Sequence, residues 1–195
     1  MIALHREEDG PAVDPVEWGD ALLLDLIDTP PVQRLRRIRQ LGLATRVYPS
    51  GEHSRFSHAL GVMHLAKRIL ALLHRQDPHL FTPVERLAVK TAALLHDVGH
   101  GPFSHVFEHL HPAIGPHEAW GWRIITGDGD VREAVARHCR RLGLDEAVFW
   151  STLRRVWLGE SAGEGYDADG GGRAGGGRPV AGPSNHPQQV GRRPA

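Results

Sequence analysis

The sequence has a single cysteine, Cys139, in 195 residues. An internal disulfide is therefore excluded, and so is a zinc cage built from thiolates. A reducing cytoplasm is the compartment this usage leads one to expect. Charge of one sign is missing as well: Lys+Arg and Asp+Glu both number 23, so the chain is neutral with its histidines uncharged. No global field draws it to nucleic acid or to an anionic membrane, neither of which is a required partner, and any anion binding must be local. No uninterrupted apolar run reaches the roughly 20 residues that cross a bilayer. Met1 to Gly10 carries His5, Arg6, Glu7, Glu8 and Asp9 where a signal peptide would be apolar. Strand-like alternation is nearly absent too. What the chain has in plenty is histidine, 14 in all.

Length alone favours one domain with a substantial core. Residues 1–12 read as an N-terminal segment and 13–158 as a helical core, with apolar residues returning every three or four positions. The spacing predicts helices at Glu17 to Ile27, Val32 to Leu41 behind Pro30-Pro31, Arg55 to His74, and Val84 to Asp97 behind Pro83. Thr45 to Pro49 reads as irregular or extended. Shorter helices are expected at Phe103 to Leu110, His117 to Ile125, Asp130 to Leu142 and Asp145 to Trp157. The expected fold class is all-α, a helical bundle. From Gly159 the chemistry changes: 37 residues hold 11 of the 23 Gly and four Pro, with no Leu, Ile, Phe, Trp or Met. Such a segment cannot bury enough apolar surface to offset its ordering entropy, so 159–195 is expected to be a disordered tail. The abrupt change fits a truncated or frame-shifted end.

The chemistry gathers in two segments. Ser54-Arg55-Phe56-Ser57-His58 opens one predicted helix; Leu94-Leu95-His96-Asp97-Val98-Gly99-His100 closes another. Packed against each other, those helices bring His58, His96 and Asp97 to one point. Two imidazoles and a carboxylate suit a divalent metal, Mn, Fe, Co, Ni or Zn, with positions left for water or phosphate. The alternative for a His on an apolar face is a satisfied core residue. Asp97 argues against it, because a charged Asp after the apolar run Ala92 to Leu95 is costly unless paired or metal-bound. His105 and Glu108 are three apart and share a helix face, a pairing that prepares a general acid. His100 joins them as a catalytic candidate by its closeness to the metal pair. His109 and His111 read as exposed surface.

Three further runs sharpen this: Ile27-Asp28-Thr29-Pro30 with Gln33-Arg34-Leu35-Arg36, then Ile38-Arg39-Gln40-Leu41-Gly42, then Arg55-Phe56-Ser57-His58-Ala59-Leu60-Gly61-Val62. With His96-Asp97-Val98-Gly99-His100-Gly101-Pro102-Phe103-Ser104-His105 they resemble the HD-domain deoxynucleoside triphosphate triphosphohydrolases, in the SAM- and HD-domain branch, over roughly residues 13 to 127. The resemblance implies an HD-domain bundle, with His58, His96 and Asp97 as ligands of a divalent metal, Mg included. It implies Gln40 and Leu41 against a nucleoside sugar and Arg55 against the phosphates. His100, His105, Glu108 and His117 would assist attack and leaving-group protonation. The reaction implied is dNTP to deoxynucleoside and triphosphate. Asp28, Gln33 and Arg36 match positions that read an effector nucleotide, which implies a nucleotide-linked homo-oligomer. The alternative for Gln33 to Arg39 is a basic, solvated helix face.

Two departures stand out. Family members often have Asp where this chain has Glu108. Its fourth metal ligand is an Asp about a hundred residues after the His-Asp pair, and only 98 residues follow Asp97 here. Asp167 and Asp169 are the sole candidates, and Gly170 to Gly172 follows at once. Two other functions therefore stand beside dNTP hydrolysis. One is a truncated, catalytically impaired HD module that binds a nucleotide or a protein partner; the other is a phosphohydrolase of nucleoside monophosphates or cyclic nucleotides.

Overall fold

Proline and capping residues punctuate the chain, and helices start where they say. In the computed structural model the residues described are 19–103, 105–110, 113 and 115–159, without the side chains of Pro49, His105, Phe107 and Glu108. The segments 1–12 and 160–195 lie outside them, with Asp167 and Asp169. The helices are α1 (Asp20–Ile27), α2 (Pro30–Arg34), α3 (Arg55–Gln76), α4 (Pro83–Leu95), α5 (His105–Leu110), α6 (His117–Thr126), α7 (Asp130–Leu142) and α8 (Glu146–Leu158). The described residues contain no strand, only an isolated antiparallel bridge between Arg39 and Ser54. The fold is all-α.

Ser54 starts α3 by accepting the Ser57 N–H, and Thr82 with Glu85 forms a reciprocal capping box at α4. Asp145 accepts two N–H groups at the start of α8. α3 and α4 pack as an antiparallel hairpin, α8 lies on α4, and α7 closes over α1. Leu22, Leu26, Met63, Leu87, Leu94 and Leu153 fill the space between, all within 1 % of fully buried. By length and composition α3 alone among the described helices could cross a membrane. Its Phe56, Ala59, Met63 and Leu70 are instead part of the buried face.

Three expectations are corrected. The helix predicted over Val32 to Leu41 stops at Arg34, tightens through a 3-10 turn, Leu35–Arg37, and at Ile38 becomes extended (φ −112°, ψ 118°). The cause is backbone pairing: Ile38 C=O accepts from Arg55 N–H at 2.8 Å, and Gln40 N–H donates to His53 C=O at 3.1 Å. Thr45 to Pro49 falls across two more 3-10 turns, Gly42–Arg46 and Pro49–Gly51. Phe103 is not helical; its φ is +63°, and α5 begins at His105. The aromatics of α8 are packed against α6 and the core. Phe149 is fully buried, and Trp150 and Trp157 pack around Trp122 of α6 at 6.4 and 6.0 Å between ring centres.

Candidate metal centre

The α3–α4 hairpin sets the first turn of α3 beside the end of α4. Arg55 and His58 come from the former, His96 and Asp97 from the latter. Asp97 is the hub. Its Oδ2 accepts from Arg55 Nη1 at 2.7 Å and lies 3.9 Å from His58 Nε2. Its Oδ1 is 3.3 Å from His96 Nε2 and 3.5 Å from His100 Nε2. Asp97 and Arg55 are both buried, so the ion pair is sheltered from water, while His58 and His96 are each about one third exposed.

The imidazoles are prepared as ligands. His96 Nδ1 lies 2.9 Å from the Ala93 carbonyl. A carbonyl only accepts, so Nδ1 carries the proton and the Nε2 lone pair faces Asp97. Partial burial pushes His58 below the ordinary imidazole range; Asp97 opposes this, and His96, Arg55 and His53 add to it. A neutral His58 offers its lone pair at neutral pH. One donor atom from each of His58, His96 and Asp97 lies within 4.8 Å of the others. The donor set, neutral nitrogens and a carboxylate, fits a divalent ion. Among the described residues no second carboxylate joins it as a fourth ligand.

A second trio adjoins the first. Asp97, His100 and His117 satisfy the same spacing, and the His100 and His117 rings stack at 3.6 Å with 16° between planes. Gly99 makes this approach possible, since a Cβ there would run into the His117 carbonyl and the Gly121 nitrogen of α6. His105 and Glu108 fall on α5, and their side chains lie outside the described residues.

The remaining sites are more scattered. Gln40 is half-buried, and its Oε1 is a buried acceptor with no hydrogen-bond partner among the described residues. Leu41 is 40 % exposed beside it and leans over Gly51. Arg55 is turned to Asp97 rather than open to a ligand. Of the effector trio, Gln33 donates to Ile27 C=O and accepts from Arg36 at 2.7 Å, and Arg36 lies over the Phe56 ring. Asp28 is exposed at the end of α1. Sequence reasoning missed Arg34, whose Nη2 holds the carbonyls of Val98 and His100 at 2.7 and 2.9 Å and so fixes the loop after Asp97. No local pattern signals a contact 64 residues away.

Residues 55–162 match the family model described as the HD domain. The chain belongs to the HD-domain family. Among curated proteins this HD-domain chain is 46 % identical over 107 residues to the deoxynucleoside triphosphate triphosphohydrolase SAMHD1 of Danio rerio, covering 54 % of this chain and 17 % of that protein. The human protein of the same name is 45 % identical over 125 residues, 62 % of this chain and 20 % of its own length. YwfO of Bacillus subtilis is 42 % identical over 122 residues, 63 % and 28 % respectively. The chain thus spans less than a third of each of these relatives.

Proposed function

We propose that this HD domain is a metal-dependent phosphohydrolase and that its substrate is a deoxynucleoside triphosphate. The observation that carries the proposal is the cluster of His58, His96 and Asp97 at the joined ends of α3 and α4, donor atoms within 4.8 Å of one another. A divalent ion bound there supplies positive charge against the phosphate oxygens. The chain's own groups do the rest. Arg55, already at the edge of the cluster, offers a planar fork to a phosphate if it shares Asp97. The stacked pair His100 and His117 stands beside Asp97, where one ring can take or give a proton while the other holds its orientation. Gln40 Oε1 is an acceptor in search of a donor, which a sugar hydroxyl would satisfy. The dNTP assignment is supported by the activity for which the SAMHD1 relatives are named; effector binding at Asp28, Gln33 and Arg36, and self-assembly linked to it, are part of the same proposal.

The test is a product assay on the purified chain with dGTP, dAMP and cAMP, each with Mn, Fe, Co, Ni, Zn or Mg. Triphosphate released from dGTP, lost in His96→Ala, supports the proposal. Turnover of dAMP or cAMP alone moves the substrate class. Metal uptake without turnover of any of the three favours the second reading, a non-catalytic HD module. That reading has its own support in the three-ligand set and in Arg55 lying on Asp97 at 2.7 Å.

A further inference from the structure

The early end of α2 has a consequence on the far side of the Arg39–Ser54 bridge. In a continuous helix Arg37 and Arg39 would point about 200° apart. Because Ile38 is extended, the backbone instead turns residues i and i+2 to one side, while the Ile38 side chain is 7 % exposed. Arg37 and Arg39 therefore line the same cavity, joined by Arg46 from the following 3-10 turn, Gly42–Arg46. The cavity measures ≈ 340 Å³, within the range of small-molecule sites. Three guanidiniums and no carboxylate line it. Arg39 shares an exposed ion pair with Glu52, a contact of little strength. Neither Arg37 nor Arg46 has an ion-pair partner among the described residues.

The rest of the lining is mostly apolar. Leu43 and Phe103 stand there, 67 % and 52 % exposed. Phe103 has φ +63°, a conformation that costs a bulky residue energy and is relieved by glycine. Gly42 lies against Phe103: a Cβ on it would stand 3.8 Å from Phe103 Cα. A large exposed ring kept at a strained position, in a cavity shared with three arginines of which only Arg39 has a carboxylate partner among the described residues, has the features of a recognition surface.

We propose that this cavity binds a small molecule carrying two or more phosphate charges beside a flat ring, the chemistry of a nucleoside polyphosphate. The arginines take the phosphates through charge-assisted, forked hydrogen bonds. Phe103 and Leu43 take the ring, by stacking and apolar contact. None of His58, His96, Asp97, Gln40 or Leu41 lines it, so the inference does not rest on the proposed hydrolysis. The effector candidates Asp28, Gln33 and Arg36 are not in its wall either.

Equilibrium binding in EDTA tests it without turnover, using ATP, inorganic triphosphate, adenosine and a single-stranded oligonucleotide as probes. ATP is expected to bind, triphosphate more weakly, adenosine weakest. Arg37→Ser and Arg46→Ser should each weaken ATP about tenfold or more, with melting curves unchanged because both side chains are exposed. Phe103→Gly should weaken ATP and spare triphosphate. His96→Ala should leave ATP binding intact. Should either serine variant fold poorly, Arg37→Gln or Arg46→Gln carries the same expectation. The proposal is overturned by absence of ATP binding, by arginine variants that bind like the parent, by loss of binding in His96→Ala, or by an oligonucleotide that displaces ATP at far lower concentration. Catalytic failure of the metal centre would leave every one of these readings unaffected.

Discussion

Asp97 meets Arg55, His58, His96 and His100 with only two oxygens, and this concentration of contacts decides how the site responds to change. Asp97→Asn leaves the Arg55 guanidinium, 3 % exposed, without its carboxylate. Removing one partner of a buried ion pair costs about 3–5 kcal/mol, so urea denaturation should show a loss of that size. His96 is 35 % exposed and makes one hydrogen bond to Ala93. His96→Ala should cost only about 1 kcal/mol, yet both variants should lose metal uptake by calorimetry. If Asp97→Asn were as stable as His96→Ala, the buried ion pair would not be the anchor described. The candidate ligands were legible in the sequence because a charged Asp after an apolar run has few affordable fates. Arg34 and Lys90 were not. Lys90 is fully buried on α4, bound to Asp20 at 2.9 Å, with Lys67 on the other oxygen at 2.6 Å. Its partner lies 70 residues back, where no periodicity points.

At the scale of elements, caps explain both what could be read and what could be altered. Glu85 accepts the Thr82 N–H at 2.9 Å, and that bond, with the Thr82 hydroxyl, holds its carboxyl below the ordinary 4.5. A carboxyl depressed on folding adds stability that is complete above the unfolded value and disappears as pH falls through the folded one. Stability should therefore decline on acidification below about pH 4.5. Thr82→Ala keeps the N–H and loses only the hydroxyl, so it should lessen that part of the decline and cost about 1 kcal/mol at neutral pH; an acid profile steeper than the parent's would contradict it. Gly99 is the other lever. A methyl there meets the backbone of α6, which cannot swing aside as a side chain could. Gly99→Ala should cost about 3 kcal/mol or more, on the scale of severe overpacking, and part His100 from His117, which thermal melting and imidazole NMR shifts would report. Helix starts at Pro83 and Ser54 were legible for the same local reasons. The 35–54 stretch was not, because its course is set by pairing Ile38 and Gln40 with the chain ahead of α3, and sequence spacing carries no record of that pairing.

Across the whole molecule, the metal centre joins the two halves of the longest hairpin, so ligand binding and folding are one equilibrium. His58 belongs to α3, His96 and Asp97 to the end of α4, and the unfolded chain separates His58 from Asp97 by 39 positions. An ion that binds the assembled trio and not the open chain stabilises by RT ln(1 + [L]/Kd), about 2.7 kcal/mol at a hundred times Kd. For a domain of this size that is a rise in Tm of about 5–10 °C. Mn or Co added to the protein should produce it, EDTA should reverse it, and His96→Ala should abolish it. The shift should also shrink on acidification below neutrality, because protonated imidazoles are not ligands, though His58 resists protonation longer than a free histidine since burial lowers its pKa. Metal that raises Tm equally in the parent and in His96→Ala would locate the ion elsewhere. It would also separate the HD-domain fold from the hydrolysis proposed for the trio at the joined ends of α3 and α4.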